Sequence, residues 1–286
     1  YFKDKDIHTL PIEVLDMITA MDVEEYLSYL ESYTKDGKLY TNREEGKARK
    51  LSSLKSFYDY YFKKNLIRTN PPRQVDVPKI KNKNIIRLDP NEIAQLLDEA
   101  ESGEKLSGRQ LASHEKTKVR DVAILTLLLG TGIRVSECVG LNLEDVDFNN
   151  GAIRIIRKGG NEALIYFGDE VSQALEAYMN GSRKTAEPAA GHEEALFISL
   201  NKTRITTRSV ERLVKKYSRL VTTVKKITPH KLRSTFGTAL YQETGDIYLV
   251  ADTLGHKDVN TTKKHYAAID EHRRRMAANV VKLRES

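Results

Sequence analysis

The chain has a single cysteine, Cys138, in 286 residues. One thiol cannot close an intrachain disulfide, so a disulfide-stapled secreted scaffold is excluded. No segment approaches the roughly 20 apolar residues that a membrane span needs, and no signal-peptide pattern is visible. Nucleotide and metal signatures are missing as well. "GTG" (130–132) and "KGG" (158–160) do not complete a phosphate-binding loop of the Walker type. "DVDFNNG" (145–151) starts like a calcium loop. However, Asn150 stands where glycine is needed, and Ile156 where a bidentate glutamate is needed. His256 and His265 lack metal-ligand spacing and carboxylate support. The chain begins with Tyr1 and not Met, which fits a trimmed N-terminus with a further segment beyond it.

What the chain does have is length for about two domains, 40% hydrophobic residues and a net charge of +7. The positive balance favours an acidic polymer, and clustering sharpens the point. "RLVKKYSRLVTTVKK" (212–226) has six basic residues and no acidic one, and "KIKNKNIIR" (79–87) has four and none. Cys138 sits in "VSECVGL", which reads as a buried helical turn with a packing thiol.

Residues 1–70 read as helices. "VEEYLSYL" puts Val23, Leu27 and Leu30 on one face, and "ARKLSSLKSFYDYYFKK" does the same with Leu51, Leu54, Tyr58 and Tyr61. Asp36-Gly37 marks a turn between them. The stretch 71–88 is basic and proline-rich and reads as a linker. A second domain, 89–269, opens with "DPNEIAQLLDEA" as a capped helix. "SGEKLSGRQ" reads as a loop, and "TKVRDVAILTLLLGTG" as a buried helix ending at glycines. "VDFNNGAIRIIRKGGNEALIYFG" alternates around two turns and predicts about three short antiparallel strands. Helices follow at 169–180, 207–221, 229–243, 246–254, 258–267 and 270–284. The fold class is mainly α (α+β), with one small sheet.

"TPHKLRSTFG" (228–237) is electrostatically odd. Thr228 suits an N-cap and Pro229 the first helical position. Yet His230, Lys231 and Arg233 crowd the end of the helix where cations are disfavoured. Free N–H groups and cationic side chains at such an end make an anion site. Four further pieces accompany it. "LLLGTGIRVSE" (127–137) places Arg134 just after a glycine-terminated helix, and "RKGGN" (157–161) places Lys158 at a hairpin tip. "LGH" (254–256) places His256 at a helix end, and "TTKKHY" (261–266) places Tyr266 ten residues later.

In that order, Arg, Lys, His-x-x-Arg, His, Tyr, the set resembles the tyrosine recombinase (phage integrase) family, more narrowly its Xer-like members. The resemblance implies an N-terminal helical core-DNA-binding domain (1–70), the basic linker (71–88), a mostly helical catalytic domain with a small three-stranded sheet (89–269), and a C-terminal helix (270–286) exchanged between subunits or packed on its own chain. It implies that Tyr266 is the nucleophile, Arg134 and Arg233 the phosphate clamps and Lys158 the general acid. His230 would assist the tyrosine proton, His256 would donate a hydrogen bond to the phosphate, and Glu137 would orient its basic neighbours. Guanidinium groups suit such a site because they hold phosphate oxygens in bidentate fashion and never lose their charge. Family members usually carry another basic residue soon after the hairpin lysine, whereas Glu162 and Ala163 stand here.

The partner implied is double-stranded DNA at specific core sites, held by a homotetramer on two sites, with no cofactor and no membrane, in a prokaryotic cytoplasm at the nucleoid. Lys79, Lys81 and Lys83 in the linker and Arg208, Arg212, Lys215 and Lys216 on helix 207–221 are the expected DNA contacts, with 47–62 as a second groove helix. Tyr241 and Tyr248 are expected to pack. A type IB topoisomerase shares the chemistry and is the nearest rival. A DNA-binding protein that kept only the fold is the non-enzymatic alternative.

Overall fold

The computed structural model describes residues 6–79, 86–157, 159–256, 258, 259 and 262. The chain divides into two compact units, Tyr1–Lys83 and Asn84–Ser286.

In the first unit, α1 (Ala20–Tyr29) starts at a reciprocal cap. Thr19 N donates to Asp22 Oδ2 at 2.7 Å and Asp22 N donates to Thr19 Oγ1 at 3.3 Å. Two strands that the sequence did not announce follow, β1 (Ser32–Lys35) and β2 (Lys38–Thr41). Asp36 and Gly37 both have positive φ, 52° and 71°. That pairing is the mirror-image turn whose twist matches a hairpin. Tyr33 pairs across to Tyr40 and the rings stack at 5.4 Å. Next comes α2 (Glu44–Lys63), which buries Leu51 against Val23, Leu27 and Leu30, and buries Tyr58, whose hydroxyl donates to the Leu15 carbonyl at 3.2 Å. The stretch after it folds back on this unit. Pro71, Pro72 and Val75 are buried, and Lys55 Nζ donates to the Val75 carbonyl at 2.8 Å. The packed part therefore runs five residues into the stretch read as linker.

The second unit opens with α3 (Pro90–Ser102), capped by Asp89 with Glu92 reaching back. The supposed loop after it contains a short helix, α4 (Gly108–His114). At the centre lies α5 (Lys118–Thr131). Ala123, Ile124, Leu125, Leu127 and Leu128 are all buried, so this helix is apolar around most of its girth and must be enclosed. It packs against α3 and, further along the chain, against α7 (Asp169–Tyr178) and α9 (Pro229–Thr244). Between these run α6 (Val135–Gly140), the strands β3 (Val146–Asp147), β4 (Ala152–Ile156) and β5 (Glu162–Tyr166), and α8 (Thr207–Val221). The sheet is antiparallel in the order β3-β4-β5, with Ile153 opposite Ile165. Ile153, Ile155 and Ile165 face the core, while Arg154, Ile156, Leu164 and Tyr166 face solvent. The last described helix is α10 (Ile247–Thr253).

A polar cluster crosses this core. The Tyr217 hydroxyl donates to Asp121 Oδ2 at 3.0 Å and lies 3.0 Å from His114 Nδ1. Thr117 Oγ1 donates to the same carboxylate oxygen at 3.0 Å, and Arg120 Nη2 donates to Oδ1 at 2.7 Å. Because the Tyr217 proton goes to Asp121, His114 Nδ1 carries its own proton and donates to the phenol oxygen. Burial, and then the Asp121 charge, push the Tyr217 hydroxyl far above the usual phenol range.

Cys138 is fully buried, and burial pushes its thiol up to about 12, which makes it a packing group. Tyr241 packs as expected, but Tyr248 does not: it is 70% exposed on the first turn of α10. Among the described residues no helix is long and apolar enough to cross a membrane.

Candidate active site

Helix α5 ends at Gly132, which has φ 63°. This left-handed residue turns the chain so that buried Ile133 dives into the core and Arg134 emerges as the N-cap of α6. Glu137, one turn on, uses both of its oxygens. Oε2 accepts the Arg134 main-chain N–H at 2.6 Å and Oε1 accepts Arg134 Nη1 at 2.8 Å. The Glu137 side chain is 4% exposed and that of Arg134 is 37% exposed. A buried carboxylate thus fixes the root and one terminal nitrogen of a guanidinium that stays partly exposed.

Arg233 comes from the second turn of α9 and is buried. Its Nη1 donates to the Gly132 carbonyl at 2.6 Å and its Nη2 to the Leu254 carbonyl. Arg134 Nη2 donates to the next carbonyl, that of Gly255, at 3.2 Å. The two arginines, 99 positions apart, therefore lean on consecutive main-chain oxygens of one turn.

That turn is the C-terminal end of α10. Gly255 has φ 61°. Its N–H donates to the Asp252 carbonyl at 2.8 Å, and the His256 N–H donates to the Ala251 carbonyl at 2.9 Å. This double closure is the Schellman ending of a helix. It leaves the carbonyls of Thr253, Leu254 and Gly255 to find partners elsewhere, and cationic donors suit the negative end of a helix. His256 follows directly and is half-buried, with Nδ1 2.6 Å from the hydroxyl of buried Thr262.

His230 lies on the first turn of α9 and is exposed. Thr228 takes the N-cap conformation and Pro229 the first helical position, but the Thr228 side chain makes no capping hydrogen bond. The concentration of cations at this end is eased by partners. Arg233 is buried and donates to main-chain carbonyls of two other elements, whose oxygens offset part of its charge.

On α8, Val210, Leu213, Val214, Tyr217 and Ser218 face the core. Arg208, Arg212, Lys215 and Arg219 form an exposed stripe, interrupted in charge by Glu211. Lys216 departs from this stripe. Its ammonium lies 4.4 Å over the Tyr217 ring and donates to the Tyr217 hydroxyl at 3.1 Å, and burial holds its pKa below the usual lysine range. Lys79 is exposed.

The model of the phage integrase family matches residues 86–273. The chain belongs to that family. Among curated relatives, this integrase-family chain is 37% identical over 218 residues to tyrosine recombinase XerC of Thermodesulfovibrio yellowstonii, covering 76% of this chain and 69% of the relative. It is 29% identical over 259 residues to tyrosine recombinase XerD of Oceanobacillus iheyensis, covering 85% and 83%. Among solved structures it resembles the Tn1549 transposon integrase in complex with circular intermediate DNA, with TM-score 0.68, 24% identity, and 96% and 89% of the two chains covered. It also resembles the XerH site-specific recombinase bound to difH substrate, with TM-score 0.66, 22% identity, and 93% and 72% covered. At those identities the structural likeness speaks to the fold.

In this integrase-family chain the structure joins Arg134, Glu137, Arg233 and the turn before His256 into one hydrogen-bonded assembly. Lys158, Tyr266, Lys81 and Lys83 lie outside the described residues, as does the C-terminal helix expected at 270–286. One cation was missed by sequence reasoning. Arg157, next to Lys158, donates to the same α10 turn, with Nη2 3.1 Å from the Thr253 carbonyl. Its adjacency to the hairpin lysine was the only available signal.

Proposed function

We propose that this chain is a site-specific DNA recombinase that cuts and rejoins duplex DNA through a covalent 3′-phosphotyrosine at Tyr266, with Arg134 and Arg233 holding the scissile phosphate. The observation that carries the reading is the shared turn. Two guanidiniums from separate helices are fixed by neighbouring carbonyls, and one of them, Arg134, stays partly exposed.

The chemistry follows from charge. The Tyr266 phenol oxygen attacks phosphorus, the bond to the 5′-oxygen breaks, and the crowded transition state gathers negative charge on its non-bridging oxygens. Fixed guanidiniums meet that charge without having to reorganise at the moment of reaction. The phenol proton passes to His230, and the 5′-oxygen takes a proton from Lys158 as it leaves. His256 donates a hydrogen bond to the phosphate, and Glu137 holds Arg134 in register. In the reverse direction a 5′-hydroxyl attacks the phosphotyrosine and restores the strand. The bond energy is kept in the ester throughout, so the exchange calls for no nucleotide hydrolysis.

Grip on the duplex comes from Lys79, Lys81 and Lys83 and from the exposed α8 stripe, Arg208, Arg212, Lys215 and Arg219, with the half-buried Lys216 as a support behind it. A chain with one nucleophile supplies one copy for each strand cut, so the working assembly is a homotetramer on two DNA sites. Its place of work is the nucleoid in a prokaryotic cytoplasm. On the boundaries drawn from the sequence, 1–70 is the core-DNA-binding domain, 71–88 the basic linker, 89–269 the catalytic domain and 270–286 the helix exchanged between subunits.

The test is covalent-complex formation on a nicked duplex carrying the recombination site, read by denaturing gel. Tyr266→Phe should give no complex, and Arg134→Ala or Arg233→Ala should slow it by about 100–1,000-fold. Undiminished complex with Tyr266→Phe would mean that another residue is the nucleophile.

A further inference from the structure

We propose that Arg157 is a positioning residue that ties the β4–β5 hairpin to the C-terminal turn of α10 and thereby sets where Lys158 can reach. The inference rests on the proposed role of Lys158 as the acid for the leaving 5′-oxygen.

The geometry is specific. Arg157 Nη2 donates to the carbonyls of Thr253 at 3.1 Å and Asp252 at 3.4 Å, and Nη1 lies 3.5 Å from the latter. The guanidinium also lies flat on Gly255. A Cβ placed on that glycine would stand 2.4 Å from Nη1, 2.5 Å from Cζ and 2.9 Å from Nε. Gly255 is therefore required twice, once for its φ of 61° and once because the Arg157 plane occupies the space of a side chain. A planar fork can span two adjacent carbonyls and lie flat on a Cα at once, which a lysine ammonium cannot.

The main chain of Arg157 meanwhile closes the hairpin. Its N–H donates to the Asn161 carbonyl at 2.8 Å and its carbonyl accepts from Gly160 N at 3.0 Å. Beyond it the tip contains Gly159 and Gly160, both at positive φ. Two adjacent glycines give a tip wide conformational freedom. A lysine on such a tip has a defined reach only if the residue at its root is fixed, and Lys158 follows Arg157 by one peptide bond. The anchor point is the same turn that takes Arg233 at Leu254 and Arg134 at Gly255. Through Arg157 the hairpin is thus referenced to the oxygens that place the phosphate clamps.

The experiment compares single-turnover cleavage of two nicked duplexes by the full chain. One has the natural 5′-oxygen at the scissile linkage, and the other a bridging sulfur there. A sulfur leaving group departs as thiolate and needs no proton, so it bypasses a general acid. Arg157→Ala should slow the oxygen substrate about 10–100-fold, part of the span assigned to a positioned acid, while slowing the sulfur substrate less than about threefold. Arg157→Lys should show the same pattern, because it keeps the charge and loses the fork. Lys158→Ala should show it more strongly.

A Lys158→Ala variant equally slow on both substrates would remove the acid assignment, and this inference with it. Repair of Lys158→Ala by sulfur, with Arg157→Ala equally slow on both substrates or not slow at all, would overturn the positioning role while leaving the acid intact. Gly255→Ala supplies a check that does not depend on the acid. Its defect should shrink in the Arg157→Ala background, where no guanidinium meets the new methyl. An unchanged defect would show that the contact is absent.

Discussion

Gly132 is the place where fold and chemistry are most tightly bound, and Gly132→Ala is the perturbation that exposes it. An added Cβ would stand 2.3 Å from Phe236 Cδ1 and 3.0 Å from both Phe236 Cε1 and Leu254 Cδ2. No real Cβ tolerates the first distance, so the Phe236 ring must move. Phe236 is half-buried and packs in a small cluster with Tyr241, Val250 and Leu254, so moving its ring disturbs the contact between α9 and α10. The left-handed conformation costs an alanine about 1–2 kcal/mol, and overpacking adds typically about 1–3 kcal/mol. The sum is about 2–5 kcal/mol. At about 2–4 °C per kcal/mol for a unit of this size, the melting temperature should fall by about 4–20 °C. Activity should fall as well. Phe236 is one turn past Arg233, whose Nη1 is bonded to the Gly132 carbonyl itself, and a displacement of about 1 Å can cost roughly 100-fold in rate. Calorimetry and covalent-complex formation on the nicked duplex measure the two effects. Gly140→Ala is the control, since its Cβ would meet nothing within 4 Å and its φ is not positive. A Gly132→Ala protein that melts and cleaves like Gly140→Ala would refute the reasoning.

Two further outcomes follow from the polar contacts. Tyr217→Phe removes the hydroxyl that joins Asp121 to His114, leaving His114 Nδ1 buried without that acceptor. Urea melts should show a loss of about 1–3 kcal/mol, and a loss indistinguishable from zero would mean that the cluster adds nothing to stability. In the first unit, hydrogen bonds from Arg73 and then Asn70 hold the Asp59 carboxyl below its ordinary value of 3.8. A lowered folded-state pKa contributes stability above 3.8 that is lost as pH falls through the folded value. Asp59→Asn should therefore be less stable than the natural chain at pH 7, with the gap narrowing as the pH falls below 3.8. A gap of constant size across that range would count against this account.

The elements legible in the sequence were those whose cause is local. Asp89, Pro90 and Glu92 are a complete helix-start signal within four residues, and the structure uses all three. The alternation around Asn150-Gly151 and Gly159-Gly160-Asn161 gave the small sheet, because the inward isoleucines recur at every second position. The β1–β2 hairpin escaped notice for the opposite reason. Its strands bury almost nothing, so "SYTKDGKLYT" carries no apolar rhythm, and only the Asp-Gly turn stood out. Helix α4 hid in a glycine- and serine-rich stretch whose start signal is the pair Ser107 and Gln110. In sequence Lys216 is indistinguishable from its basic neighbours, but its surroundings are set by Asp121, 95 positions earlier, and by the Tyr217 ring. Arg157 was passed over because its partners are carbonyls, which every residue possesses and no motif can mark.

Arg157 is not alone in this. Three guanidiniums rest on a strip of main chain from Asp252 to Gly255, so the side chains of Asp252, Thr253 and Leu254 are not what holds them. Alanine scanning would report Asp252 and Thr253 as quiet and would register Leu254 only for its packing in the core, never for the oxygen it lends to Arg233. The contribution of these oxygens becomes visible only when the backbone itself is edited, for instance by exchanging an amide for an ester, whose carbonyl is a poorer acceptor.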